Sequence, residues 1–161
     1  MAATAHLVAK NFAYHIERTT PTGTGNATNR KWRENPRPLV LTDPLSPGTE
    51  RSFTVRPVRS ARLDDVTHKE ARISDWFFEL EVAYTSNRTL VALVDIMAQD
   101  SHDLVKLLRT DDNFTGYSRA QSATDIGLMD REFEGQEFVF QDENVSYLRQ
   151  AWRCKIKETE T

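Results

Sequence analysis

The hydrophobic pattern of the chain changes period abruptly between residues 76 and 109. In the segment WFFELEVAYT, alternate side chains are apolar on one side of an extended chain: Phe78, Leu80, Val82 and Tyr84. A period of two predicts a β-strand with one buried face. From residue 90 the apolar positions recur at spacings of three and four, as in an amphipathic helix. They are Leu90, Leu93, Val94, Met97, Leu104, Val105 and Leu108. A strand that leads into a covering helix is typical of a scaffold or assembly unit.

The N-terminal residues predict another helix. Within residues 5–18, four side chains fall on one side at helical spacing: Val8, Phe12, His15 and Ile16. Pro21 cannot continue a helix, so we expect this one to end before it. Downstream, residues 51–59 alternate between apolar and basic side chains as a strand, and Pro57 favours a strand end or an edge position. The charged residues 60–75 are predicted to form an exposed connector.

Residues 19–50 differ from the rest of the chain because they hold five of its six prolines. Breakers at this density interrupt helix and sheet alike, so we predict an extended loop with a short apolar run at residues 39–41. A connection longer than about 15 residues is uncommon inside a compact domain and is commonly functional or disordered. We therefore expect this loop to reach a neighbouring molecule.

The last third of the chain predicts a series of strands. Apolar alternation occurs over residues 123–133, 137–140 and 148–157, with Gly135 before the second segment and the stop signal QDEN before the third. The complete order is helix, loop, two strands, helix and three strands. It predicts a single α+β domain over residues 1–161, with an antiparallel sheet of about four to five strands and two helices packed on one face.

The charge of the chain is small but unevenly placed. The formal net charge is −3, which does not favour a general affinity for nucleic acid or acidic membranes. Residues 1–75 hold 12 Lys and Arg against 8 Asp and Glu, a net of +4, and residues 76–161 hold 9 against 16, a net of −7. This asymmetry indicates either a particle with two differently charged faces or a chance distribution over a solvated surface.

The single cysteine, Cys154, cannot form a disulfide within the chain, so a reducing compartment is expected. It shares strand register with Trp152 and Ile156, which predicts an inert buried thiol. The N-terminus lacks the basic and apolar regions of a secretory signal. No stretch approaches the roughly 18 consecutive apolar residues of a membrane-spanning helix.

Four polar residues on the predicted second helix raise the question of a metal site: Asp95, Asp100, His102 and Asp103. No second cluster in the sequence supplies the further ligands that a zinc or two-metal site needs. Phosphate-binding loops, nucleophile motifs and HExxH patterns are also absent from the sequence. We therefore expect no metal, no cofactor and no catalytic residue, and the chain is not predicted to be an enzyme.

A basic run lies inside the long loop. It consists of Arg30, Lys31, Trp32, Arg33 and Arg37. Basic side chains interleaved with an aromatic ring can follow a phosphate backbone and stack on a base. Against nucleic acid, the run is short, includes a glutamate and belongs to an acidic chain. A contact with an acidic protein partner explains the run at least equally well.

Three segments carry a resemblance to a known family. They are the strand FELEVAYT, the helix VDIMAQDSHDLVKLLR, and the terminal strand YLRQAWRCKIKE after DREFEGQEFVFQDEN. Together they resemble the tail terminator (tail completion) proteins of tailed bacteriophages. The resemblance covers residues 51–158, rests on patterning, and does not include the loop at 19–50. It implies a homohexameric ring that caps the head-proximal end of the tail tube, stops tube polymerisation and joins the tail to the neck.

The resemblance also implies partners and a location. The partners would be further copies of the chain, the tail tube protein and a neck or connector protein. DNA would pass through the ring without specific binding, and no membrane would be involved. The protein would reside in the virion tail and neck, and in the host cytoplasm during assembly. No catalytic residue is carried over, because the family acts through complementary ring faces.

The polar face of the central strand leads to a hypothesis about the ring. Glu79 and Glu81 are expected to line the lumen, where like charges repel phosphates and DNA slides without sticking. The alternative is that both glutamates simply face solvent. Other functions also remain open: a neck or connector adaptor, a tail tube subunit on a similar α+β plan, or a small nucleic-acid-binding accessory protein.

Overall fold

Two helices and five strands make up the described part of the chain. The computed structural model describes residues 2–23, 31–34, 50–62, 71–85, 89–110, 128–141 and 145–159. The elements are α1 (Ala2–Glu17), β1 (Arg33–Glu34), β2 (Ser52–Arg62), β3 (Ala71–Thr85), α2 (Leu90–Arg109), β4 (Leu128–Gln141) and β5 (Val145–Thr159). The α+β class that the hydrophobic pattern predicts is confirmed.

The strands form one sheet in the order β1-β2-β3-β5-β4. The four long strands are antiparallel to their neighbours, while β1 runs parallel to β2. β3 and β5 pair along their full lengths, from Ala71 opposite Thr159 to Thr85 opposite Val145. This pair is the centre of the sheet. The predicted antiparallel sheet is therefore present in the four long strands, and the two-residue β1 adds one parallel pair that makes the sheet mixed.

The core lies between one face of the sheet and the two helices. Phe12 of α1 packs on Phe78 of β3 with ring centroids 5.9 Å apart, and meets Trp152 of β5 edge-on at 6.2 Å. Leu104 and Leu108 of α2 are fully buried in the same cluster. The apolar side chains of both helices and of alternate strand positions therefore leave water together, which stabilises the fold.

Helix α2 begins and ends where the sequence predicts. Thr89 caps its start, because the Ala92 N–H donates to the Thr89 hydroxyl at 3.3 Å. Lys106 and Arg109 lie in the last turn, where cations interact favourably with the helix dipole. The Thr110 N–H donates to the Leu107 carbonyl at 3.3 Å and closes the C-terminal end.

Strand β4 is one strand where the sequence predicts two. Gly135 has a φ of +146°, a backbone conformation that side-chain-bearing residues rarely adopt. The register with β5 shifts between Phe133 and Gly135, so the glycine forms a bulge and the strand continues beyond it. Gly135 therefore bends the strand and does not end it.

The connectors are also shorter than predicted. β2 continues to Arg62 and β3 begins at Ala71, so the prediction of an exposed loop over residues 60–75 is wrong at both ends. These ends hold Arg62, Arg72 and Asp75 among mostly small side chains, so the sequence shows no apolar alternation long enough to predict a strand there. Within residues 19–50, predicted to be loop throughout, Arg33 and Glu34 form β1.

Candidate functional site

The sheet face opposite the helices, called here the open face, carries charges sorted by strand. The basic strands contribute Arg56 and Arg59 from β2 and Arg149, Arg153 and Lys155 from β5. The acidic strands contribute Asp75, Glu79 and Glu81 from β3 and Asp130, Glu132, Glu134 and Glu137 from β4. Basic and acidic strands thus alternate across the sheet. Within the described ranges, no helix or strand covers this face. At one end of it, however, Ala83 and Tyr147 are buried and form a small apolar cluster with Val139.

Cross-strand ion pairs join these stripes. Arg56 Nη2 donates to Glu79 Oε1 at 3.0 Å, Arg149 Nε to Glu81 Oε2 at 2.7 Å, Arg153 Nε pairs with Glu134 Oε1 at 3.1 Å, and Arg153 Nη2 pairs with Glu132. Exposed pairs of this kind each add little to stability. Their main effect is to reduce the electrostatic potential of the open face, because the row of like charges on each strand lies beside a row of the opposite sign.

The structure places Glu79 and Glu81 on the open face, as the period of two predicts. Their side chains are 27% and 12% exposed, and each lies beside an arginine. The open face is therefore not uniformly negative, which weakens the repulsion of phosphates on which the lumen hypothesis was based. A position in a ring lumen stays a prediction for both residues.

A depression on the open face collects charges of both signs. It is lined by Asp75, Asp130, Glu132, Arg153 and Lys155. Because three carboxylates and two cations face it, the depression does not select an anionic or a cationic ligand. It belongs to the same pattern of alternating stripes.

The basic run of the long loop is divided by the fold. Trp32 is only 1% exposed and belongs to the main core, while Lys31 and Arg33 are exposed. The Arg33 N–H donates to the Arg51 carbonyl at 3.1 Å and so holds the run against β2. Because the large apolar ring of Trp32 is buried in the core, it is not presented at the surface to stack on a base. A partner contact by this run stays a prediction.

Two members of the basic run, Arg30 and Arg37, lie outside the described residues. The short apolar run predicted at residues 39–41 lies outside them too. Lys31 and Arg33 are the two basic side chains of the run that the structure places at the surface.

The four polar residues of α2 have separate environments. Asp95 and His102 are exposed, and Asp100 is buried. Asp103 accepts hydrogen bonds from the Thr22 backbone N–H at 2.8 Å and from the Thr22 hydroxyl. Among the described residues, no group of three or more His, Cys, Asp or Glu side chains could hold a metal ion.

Asp100 is the centre of a buried polar cluster. Its carboxylate accepts a bidentate pair of hydrogen bonds from Arg51, at 2.8 Å from Nε and 2.7 Å from Nη2. The Tyr84 hydroxyl donates to the same carboxylate at 2.7 Å. Arg51 also donates to the Gly23 carbonyl at 2.7 Å and has a φ of +60°. The cluster joins β3, α2, the start of β2 and the segment after α1.

Burial sets the protonation properties of this cluster. Loss of water raises the pKa of Asp100, and the hydrogen bonds from Arg51 offset part of that rise. Burial, together with the neighbouring Asp100 carboxylate, raises the pKa of Tyr84 well above its usual value. The phenol therefore remains a hydrogen-bond donor at neutral pH.

Sequence reasoning did not identify the Arg51–Asp100 pair. One signal was available, because Asp100 lies at helical spacing from Met97 and Leu104, inside the apolar stripe of α2. A charged residue at a core position requires a buried partner. Nothing in the sequence indicates that the partner is Arg51, which is 49 residues away.

Cys154 is the buried thiol that the strand register predicts. It is 0% exposed, and burial raises its pKa to about 12. The thiolate is the reactive form of cysteine, so the Cys154 thiol is unreactive in the folded chain.

No protein-family model matches the chain, and no curated protein matches it significantly. In the part of the chain that the structure describes, no helix is long and apolar enough to cross a membrane.

Proposed function

We propose that this protein is a structural virion subunit of the tail terminator type, which forms a homohexameric ring at the head-proximal end of the phage tail tube. There it ends tube polymerisation and joins the tail to the neck. One observation carries the proposal: two helices cover one face of the sheet, while the other face presents ordered charges with no described element over it. A face of this kind suits the lumen of a ring, where its ordered charges would meet the DNA that passes through.

The segments that resemble tail terminators support the proposal because they form one packed unit. FELEVAYT lies in β3, VDIMAQDSHDLVKLLR in α2, and YLRQAWRCKIKE in β5. β3 and β5 pair along their full lengths, and α2 packs in the same core. The resemblance in patterning therefore corresponds to a continuous piece of three-dimensional structure.

The alternating charges suit a ring through which DNA passes. Non-specific DNA binding depends on a track of cationic side chains along the phosphates. On the open face every basic stripe lies beside an acidic one, and Arg56, Arg149 and Arg153 are paired with glutamates. Such a lumen would release DNA without specific binding.

Two alternatives receive less support. A tail tube subunit would be expected to carry a long hairpin arm for stacking. β4 and β5 form a long hairpin, but β5 also pairs with β3 throughout, so this hairpin is part of the sheet. A nucleic-acid-binding accessory protein would use the aromatic ring of the basic run, and Trp32 is buried.

Antibody labelling of particles tests the proposal. Particles are purified from the cells that make this chain, separated into heads and tails, and labelled with gold-conjugated antibody for electron microscopy. We expect label at one end of the tails, on the end that joins the head. Tails made without the protein should be longer than normal, because tube growth is not stopped.

Each other labelling pattern contradicts the proposal and identifies an alternative. Label on the separated heads indicates a neck or connector adaptor, and label along the whole tail indicates a tube subunit. Label on neither part, together with salt-dependent DNA retention by the purified protein, indicates a nucleic-acid-binding accessory protein.

A further inference from the structure

Of the large apolar side chains that remain exposed, two lie on opposite edges of the sheet and two lie in the first turn of α2. Among the described residues they are Val58 at 55%, Phe140 at 49%, Leu90 at 63% and Val91 at 72%. Val58 belongs to β2, which is at one side of the sheet apart from the two-residue β1, and Phe140 belongs to β4 at the other side. Exposed apolar groups on edges mark contact surfaces when they cluster.

Leu90 and Val91 lie on the same side as Phe140. Helix α2 runs antiparallel to β4, because Arg131 bonds the Leu108 carbonyl while Gln136 bonds Ser101. Four residues beyond Gln136, at about 3.3 Å each, Phe140 has advanced about 13 Å. Nine residues before Ser101, at about 1.5 Å each, the helix has moved about 13 Å from the same contact, in the same direction as the strand. Phe140 is therefore level with the first turn of α2.

The two edge strands carry opposite charge, although each lies beside an inner strand of the other sign, with which Arg56 and Glu134 form ion pairs. Strand β2 contains three arginines and no acidic residue, a net of +3 over Ser52–Arg62. Strand β4 contains four acidic residues and one arginine, a net of −3 over Leu128–Gln141. We define the basic edge by Arg56, Val58 and Arg59, and the acidic edge by Glu134, Glu137 and Phe140.

Neither edge is shaped to extend the sheet by a regular ladder. Pro57 has no N–H to donate, and the register of β2 shifts between Pro57 and Arg59. The bulge at Gly135 interrupts β4 in the same way. Bulges and prolines on edge strands prevent continuous strand pairing, so a partner at these edges would be held by side chains.

We propose that the acidic edge of one copy docks against the basic edge of the next copy of this chain. Opposite charges attract across such a contact, while two acidic edges or two basic edges repel each other. Val58 is level with Phe78 of β3 and Phe140 is level with Tyr84, so the docked copies are offset along the strands by about six residues, roughly 20 Å. With that offset the contact also removes Val58 and Phe140 from water. A second copy fits because this chain itself supplies both complementary surfaces.

The contact is head-to-tail, since it joins different surfaces of identical chains. Repeated head-to-tail contacts close into a ring when the rotation allows it, and otherwise form an open filament. This contact would be the interface between subunits of the proposed ring. The closed ring rests on the proposed function, whereas the edge-to-edge contact does not.

Cysteine cross-linking tests the contact directly. Cys154 is buried with its pKa raised to about 12, so cysteines introduced at the surface are the reactive ones. Variants Val58→Cys and Phe140→Cys are treated with a bifunctional maleimide, separately, mixed, and combined in one chain. We expect covalent dimers in the mixture and a ladder of multimers from the combined variant. His6→Cys, exposed on α1, mixed with Val58→Cys is the matched control and should give no dimers.

Charge reversal provides a second, independent readout. One variant carries Glu134→Lys and Glu137→Lys, and the other carries Arg56→Glu and Arg59→Glu. Both charge-reversal variants are made in the chain that carries Val58→Cys and Phe140→Cys. Either variant alone has two edges of like charge, so it should no longer form the ladder of cross-linked multimers. In a mixture each reversed edge meets an edge of opposite sign, so alternating multimers should return. Circular dichroism checks that both variants keep the wild-type fold.

Three results would overturn this contact. They are dimers formed by Val58→Cys alone or Phe140→Cys alone, the absence of any dimer in the mixture, and reversed variants that assemble like the wild type. The labelling experiment on particles has a separate outcome. A chain absent from particles but cross-linked edge to edge contradicts the proposed function alone, and a labelled tail end without cross-links contradicts this contact alone.

Discussion

Arg51 and Asp100 form a buried ion pair that ties distant parts of the chain together. The side chains are 1% and 0% exposed, and the pair is bidentate at 2.7 and 2.8 Å. A buried pair gains little over an apolar replacement of both partners, but removing one partner leaves a charge without compensation. The sensitive change is therefore a single substitution.

Replacement of Arg51 by methionine should lower the free energy of unfolding by about 3 to 5 kcal/mol, because Asp100 would be left buried without its cation. Urea denaturation measures the change. The matched control is the combined variant with Asp100→Asn, in which no carboxylate remains. The loss in the combined variant should be smaller than the sum of the two single losses. Additive losses would show that the two side chains do not stabilise each other.

The Arg51→Met penalty should also depend on pH. Burial already raises the pKa of Asp100, and loss of the guanidinium removes a partner that lowers it. A carboxyl group whose pKa is higher in the folded chain than the unfolded value of about 3.9 takes up a proton on folding. Its stabilisation is complete below the unfolded pKa and is lost as the pH rises through the folded pKa. The penalty should therefore be smaller at about pH 4 than at about pH 7.

Strand β4 shows how one residue decides the form of an element. Gly135 lies in the left-handed region with φ of +146°, and a Cβ built on it meets nothing within 4 Å. Space is therefore available for a side chain, and the limitation is conformational. From the sequence, Gly135 predicts a boundary between two strands. In the structure, the same glycine forms a bulge, and β4 continues through it.

Gly135→Ala should lower the free energy of unfolding by about 1 to 3 kcal/mol through backbone strain alone. Thermal denaturation measures the effect at a concentration low enough to exclude self-association. Glu137→Ala, an exposed position on the same strand, is the control and should change stability by less than about 0.5 kcal/mol. A Gly135→Ala protein as stable as this control would show that the bulge relaxes without cost.

The segment between α1 and β2 is fixed to the whole molecule at several points. Thr22 bonds Asp103, Gly23 accepts from Arg51, and Trp32 lies in the core. A loop held only by a partner would leave the fold unchanged when altered. These contacts make part of the segment a component of the domain itself.

Trp32→Ala should lower the free energy of unfolding by about 3 to 5 kcal/mol, as expected for a buried aromatic side chain. The double variant Lys31→Ala and Arg33→Ala changes the exposed neighbours and is the matched control, with little expected effect. Chemical denaturation distinguishes the two. Equal stability of the tryptophan variant and this control would mean that the ring contributes nothing to the core.

The distribution of charge also acquires its meaning at the scale of the molecule. The sequence shows a basic first half and an acidic second half. The fold places basic β2 and acidic β4 at opposite edges of the sheet, with β3 and β5 between them. The asymmetry along the chain thus corresponds to a difference between two edges, which no count of charges by segment could locate.

The sequence by itself determined the elements whose signals are local. The period of two in β3, the helical spacing in α2 and the buried register of Cys154 each follow from how neighbouring side chains meet water. Tertiary structure alone decided which distant groups meet: Arg51 with Asp100, Trp32 with the core, and β1 with β2. These contacts depend on chain closure over tens of residues, and no local pattern records their partners.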